Sequence, residues 1–199
     1  MLDQTLRLFI AINAPDTLAA YLADEQRALG GRQAPVKWID PAGAHITLQF
    51  LGAVSAQHSA ALLTAIEAAA QDIQPFTLRL KGLGAFPNLR RPRVIWAGVE
   101  GEISTLEALQ RRVVQQTAPL GFAPEERPFR PHITLGRVRE GASPAAVERL
   151  GRAVAERTFS VREIWRVEHV SLMRSELHPS GARYTALGQI VLGGGYTAS

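Results

Sequence analysis

Residues 44–52 read AHITLQFLG, and residues 131–138 read PHITLGRV. The tetrapeptide His-Ile-Thr-Leu therefore occurs twice, at 45–48 and at 132–135. Each copy lies in a short run rich in Ile, Leu and Thr, which predicts a strand. Successive side chains of a strand point to opposite faces. His45 and Thr47 are thus placed on one face with Ile46 and Leu48 on the other, and His132 and Thr134 oppose Ile133 and Leu135 in the same way. Brought face to face, two such strands would line a cleft with two imidazoles and two hydroxyls.

That set suits displacement at phosphorus. Histidine titrates near neutrality, so one imidazole can act as base while the other, protonated, acts as acid. Threonine hydroxyls can donate to non-bridging oxygens, and an arginine can offset the growing negative charge. Arg137 is the candidate. Five residues from His132, it falls by strict alternation on the wrong face, but glycine inside a strand marks a bulge or close approach, and Gly136 could turn it back. Phe50 is read by alternation onto the face of His45 and Thr47, where it could stack on a base or close the cleft edge as a core aromatic.

The chain outside these runs predicts an alternation of elements. Strands are expected at 5–13, 36–40, 76–86, 93–100, 158–164, 165–175 and 182–192, with the two HITL strands at 44–52 and 132–139. Helices are expected from Asp16 to Gly30, from Ser55 to about Asp72, over 102–121, and from Ser143 to about Arg157. A loose tail is expected from about residue 193. Because each HITL strand precedes a helix, the expected fold class is α+β: two pseudo-symmetric lobes in one domain over 1–199, with mainly antiparallel sheets facing a central cleft and helices outside. The boundary between the halves is expected near residues 100–120.

Composition narrows the function. Of 199 residues, 46% are hydrophobic and 20% charged, an ordinary globular balance that argues against long disorder. The net charge of +4 comes chiefly from arginine and fits an anionic partner. Cysteine is absent, so no disulfide framework or Cys-based zinc site can form. No signal-peptide pattern opens the chain and no run approaches the length of a membrane helix, so a cytoplasmic protein without membrane contact is expected. No nucleophile elbow, P-loop or zinc-binding histidine spacing occurs. His58, His169 and His178 are read as solvated or structural. In the basic loop at 87–92, Arg90 and Arg91 could touch an RNA strand or simply solubilise the turn.

These features resemble the 2H phosphoesterase superfamily, named for its paired H-x-[ST]-x motifs, and within it the bacterial and archaeal RNA 2′,3′-cyclic phosphodiesterases, also called 2′-5′ RNA ligases (the LigT-like fold). The likeness is carried by RLFIAI (7–12), VKWIDPAGAHITLQFLG (36–52), GAFPNLRRPRVIWAGV (84–99), FRPHITLGRV (129–138) and SLMRSELHPSGARYTAL (171–187). It implies hydrolysis of a 2′,3′-cyclic phosphate to a 2′-phosphomonoester with neither metal nor other cofactor. It maps His45 as proton donor to the leaving O3′ and His132 as proton acceptor from water, with Thr47, Thr134 and Arg137 on the phosphate. The expected partners are RNA with 2′,3′-cyclic phosphate ends or small cyclic nucleotides, and a monomer is expected. Cyclic phosphates of ADP-ribose, 2′-5′ oligoadenylates, and RNA-end binding without turnover are the alternatives.

Overall fold

The computed structural model describes residues 5–178 and 181–194. Nine antiparallel strands form its sheet: β1 (Thr5–Asn13), β2 (Val36–Trp38), β3 (His45–Ser55), β4 (Phe76–Phe86), β5 (Val94–Gly101), β6 (His132–Val138), β7 (Trp165–Val167), β8 (His169–His178) and β9 (Gly181–Val191). Four α-helices accompany them among the described residues: α1 (Ala19–Ala28), α2 (Ser59–Ala70), α3 (Ile103–Thr117) and α4 (Pro144–Glu156). Strand order along the sheet is β7-β4-β5-β6-β3-β1-β8-β9, and β2 adds to β6.

The two HITL strands are neighbours at the middle of this path. They meet through one pair of residues in register, Ile46 opposite Ile133. Both isoleucines are buried, at 0% and 1% exposure. On one side of this seam lie β3, β1, β8 and β9; on the other lie β6, β5, β4 and β7. The two sides interleave in sequence, so no cut near residues 100–120 separates them. The strands at 76–86 and 94–101 join the second motif, and β8 and β9 return to flank β1.

Both faces of β1 are covered. Leu8, Ile10 and Ile12 enter the main core, while Phe9 and Ala11 join Met173 in a small second cluster against Tyr184. The helices shield the other side. α2 packs on α3, β8 and β9, α3 on β3, and α4 on β4. In α3 the buried residues are Leu106, Leu109, Val113 and Thr117, a helical stripe that leaves Gln110, Arg111, Val114 and Gln115 off the core. Ser55 and Ser143 open their helical segments as expected, their hydroxyls accepting from the N–H of Gln57 and of Ala146. Asp16 instead begins a short 3₁₀ turn that leads into α1.

The expected strand at 158–164 is a single bridge, Ser160 to Lys81. It runs beside the irregularity of β4 between Leu80 and Leu83, where Gly82 N–H donates to Phe159 and Val161 N–H to Leu80. A bulged strand offers too few aligned groups to extend a ladder there. The expected tail falls mostly on residues 195–199, outside the described residues; Gly193 N–H still donates to Ala70. No helix is long and apolar enough to cross a membrane among the described residues.

Ile46→Ala would remove packing at the only register point of the seam. We expect a loss of about 2–5 kcal/mol in urea unfolding; an unchanged midpoint would show that the seam carries little of the stability.

Candidate active site

His45 and His132 are the first residues of β3 and β6, and the backbone holds both rings in the same way. His45 Nδ1 lies 2.8 Å from the carbonyl of Gly43, and His132 Nδ1 lies 2.6 Å from that of Arg130. A carbonyl only accepts, so Nδ1 carries the hydrogen in each ring and Nε2 is the free nitrogen. Each donor reaches back two residues, which makes the orientation a local property of the turn before the strand.

Aromatic rings fix the planes. His45 sits 4.9 Å from Phe9 and 5.0 Å edge-on from Tyr184; His132 sits 4.9 Å edge-on from Phe86 and 6.2 Å from Trp96. Burial among these rings pushes both imidazoles below their ordinary pKa of 6.5, against the pull of the backbone bonds. His132 adds to the lowering at His45, and the Arg137 guanidinium adds to it at His132. Both rings are therefore mainly neutral at pH 7. Burial also raises the Tyr184 hydroxyl, which Arg137 and Arg7 oppose.

The HITL strands share a further irregularity. In β3, Gln49 faces Ile10 and Thr47 faces Ala11, so Leu48 has no opposite number on β1. In β6, Gly136 faces Ile95 and Thr134 faces Trp96, so Leu135 has none on β5. Each leucine is the extra residue of a bulge, and each bulge reverses the alternation beyond it. Gln110 Nε2 donates to the carbonyl of Leu48 at 3.4 Å, and Gln26 Nε2 to that of Leu135 at 3.1 Å. Gly136 is needed for space: a Cβ there would lie 2.5 Å from Val36 and 2.8 Å from the Trp38 ring.

The reversal decides two residues. Arg137 returns to the face of His132 and Thr134, as the glycine suggested. Phe50 reaches the face of His45 and Thr47 for the same reason. Plain alternation would have turned it away, five residues from His45, so the bulge rather than alternation accounts for its place. Phe50 is 59% exposed, with its ring 6.3 Å from Phe9. Thr47, Phe50, His132, Thr134 and Arg137 line one cleft of about 920 Å³. Arg90 and Arg91 are not among its lining residues; their backbone N–H groups donate to Asn88 Oδ1 and shape the turn. Among the described residues no group of three or more His, Asp or Glu is placed to hold a metal ion.

The family model of the 2′-5′ RNA ligase superfamily matches residues 14–179. The chain belongs to this superfamily. It is 34% identical over 180 residues to the RNA 2′,3′-cyclic phosphodiesterase of Methanothermobacter thermautotrophicus, covering 90% of this chain and 95% of that one. It is 33% identical over 193 residues to the protein of that name from Thermus thermophilus, covering 95% and 91%. Among solved structures, TT0787 of Thermus thermophilus matches with a TM-score of 0.78 at 31% identity, over 96% and 100% of the two chains. Escherichia coli LigT complexed with 3′-AMP matches with a TM-score of 0.75 at 27% identity, over 95% and 99%. The 2H phosphoesterase fold expected from the paired motifs is thus the fold observed.

Two features of the site were not singled out residue by residue in the sequence. Tyr184, inside the matched stretch SLMRSELHPSGARYTAL (171–187), arrives beside His45 on β9. The outer wall of the cleft, from α3 and residues 124–130, adds Arg111, Arg127 and Arg130. We expect NMR titration to give both imidazoles midpoints below 6.5. Removing the cation in Arg137→Leu should move the His132 midpoint upward, and no movement would place the guanidinium too far away to act on the ring.

Proposed function

We propose that this protein is an RNA 2′,3′-cyclic phosphodiesterase that opens a cyclic end to a 2′-phosphomonoester by acid–base catalysis between His45 and His132. The observation that carries the reading is the matched pair of imidazoles, each fixed through Nδ1 and each with Nε2 free: His132 lines the cleft, and His45 heads the strand whose Thr47 and Phe50 line it. Names of relatives across the superfamily support the substrate class.

In this mechanism neutral His132 takes a proton from water at Nε2 while the water oxygen attacks phosphorus. The P–O3′ bond breaks in line, and protonated His45 delivers its Nε2 proton to O3′. Thr47 and Thr134 donate to non-bridging oxygens, and Arg137 neutralises charge as it grows on them. Phe50 offers its exposed face to the terminal base. His132 ends the turnover protonated and His45 neutral, so one proton must return before the next cycle. Attack by an RNA 5′-hydroxyl in place of water would give a 2′-5′ linkage, the weaker reverse use of the same site. Both histidines, both threonines and Arg137 belong to one chain, so the proposed reaction asks for no second copy, and we read the protein as a monomer of the cytoplasm.

RNA ending in a 2′,3′-cyclic phosphate, incubated in EDTA and followed by phosphorus NMR, should yield a 2′-monophosphate. His45→Ala and His132→Ala should each slow turnover by about 10²–10⁴ while circular dichroism stays unchanged. A 3′-monophosphate product, or full activity in either variant, would sink the mechanism.

The lowered imidazole pKa values also set a pH profile. The working form holds one proton between two groups that both ionise below 6.5. Above both values that form is depleted as pH rises, and below both the base is blocked. The kcat/KM for a cyclic phosphate, whose own charge is constant here, should peak below pH 6.5, its two limbs belonging to the pair. A maximum above pH 7 would contradict this arrangement.

A further inference from the structure

The cleft is far larger than the reacting end requires. Its volume of about 920 Å³ lies near the upper end of ligand sites, yet of the two motifs only Thr47, Leu48, His132 and Thr134 line it. Its outer wall is the polar face of α3, with Gln110, Arg111 and Gln115, and the segment 124–130. Four arginines line the cleft, Arg111, Arg127, Arg130 and Arg137, against one acid, Glu125. None of the four is paired with a carboxylate among the described residues. The contrast within α3 is sharp. Arg112, one residue on, is bound to Asp72 and to the carbonyls of Ala68 and Ala69, whereas Arg111 faces the cleft with no such partner.

One cation on the motif strand, Arg137, suffices for one phosphodiester charge. Three more along a wall match an anion that continues. We propose that the α3 face and residues 124–130 bind the RNA strand on the 5′ side of the cyclic end, with Arg111 and Arg127 on its phosphates, so that the preferred substrate is an oligonucleotide rather than a cyclic mononucleotide. This rests on the functional reading above. With His45 protonating O3′, the ribose lies on the β3 side, and its base lies at Phe50. α3 packs directly on β3, through Gln110 and the Leu48 carbonyl among other contacts. The strand leaving the ribose through its 5′ oxygen therefore passes Phe50 and meets α3. Unpaired guanidinium groups give such a strand charge-assisted bonds without first breaking an internal ion pair.

The test compares kcat/KM for uridine 2′,3′-cyclic monophosphate with that for a pentanucleotide ending in the same cyclic phosphate. The pentanucleotide should be favoured by about tenfold or more, each charged contact being worth roughly that factor. The Arg111→Gln, Arg127→Gln double variant should lose most of this ratio through KM, and the slope of log kcat/KM against log salt should shrink by roughly 1.4 for two lost contacts. Arg111→Glu should lower the ratio further, with circular dichroism confirming the fold. A double variant with the wild-type ratio and salt slope would overturn the proposal. So would equal use of both substrates by the wild type, which leaves the phosphodiesterase reading standing. Turnover of neither substrate would overturn that reading as well. Competition from an oligonucleotide with a free 5′-hydroxyl and no cyclic end, lost only in the Arg111 variants, would give the wall to a second strand and overturn the assignment to the 5′ side.

Discussion

The arrangement depends on two isoleucines. Ile46 and Ile133 are buried against each other's strand at the only point where β3 and β6 meet in register. Turning either outward would strip an apolar side chain from the core, and each strand is therefore held to one facing. Because side chains alternate, that facing also decides the residue before and the residue after. Thr47, His132 and Thr134 reach the cleft, and His45 stands beside them at the head of β3, because the isoleucines cannot leave the core. The free energy that places the polar groups is hydrophobic, and it is drawn from the side of the sheet that substrate does not touch.

The two bulges then break the symmetry that the doubled motif sets up. The half-sites share the strand order, the Nδ1 bond to a carbonyl two residues back and the flanking aromatic rings. Each also carries its fifth residue back onto the cleft. There the likeness ends, because one strand delivers Arg137 and the other Phe50. A cation on one side and an exposed aromatic face on the other give the cleft a direction, charge toward β6 and base toward β3. In the proposed reaction this is what lets two chemically equal histidines hold unequal roles. Gln26 and Gln110 belong to the same device, since each takes the carbonyl of the extra leucine.

Much of this was legible from the HITL copies, because alternation and burial are local. Most of the strands, the stop of α1 before Gly30 and the starts of α2 and α4 follow from short patterns, whereas 158–164 proved a single bridge. What needed the structure was partner choice. Nothing within 76–101 says that these strands join the second motif, since pairing is set by the whole sheet. The same holds for Tyr184, which the register of β8 and β9 delivers to His45. Gly136 marked the bulge of β6, but no glycine marks the one at Leu48, so alternation placed Phe50 on the right face for the wrong reason. The α3 wall was hidden differently: RRVVQQ reads as an ordinary solvated helix face until the helix is docked beside β3.

The interleaved strand order sets a timetable during synthesis. Once residue 138 has been made, β6 already has β2, β3 and β5 beside it, and β5 has β4. The opposite flank of β1 stays open, because its partner β8 begins only at His169 and pairs through Leu8–Ala11 with Ser171–Arg174. From then until β8 has been made, an apolar strand, buried on both faces when complete, presents a bare row of backbone donors and acceptors. The nascent chain is therefore most exposed to self-association on the His45 side, and the last strands to emerge seal that edge as they bring Tyr184 to its histidine.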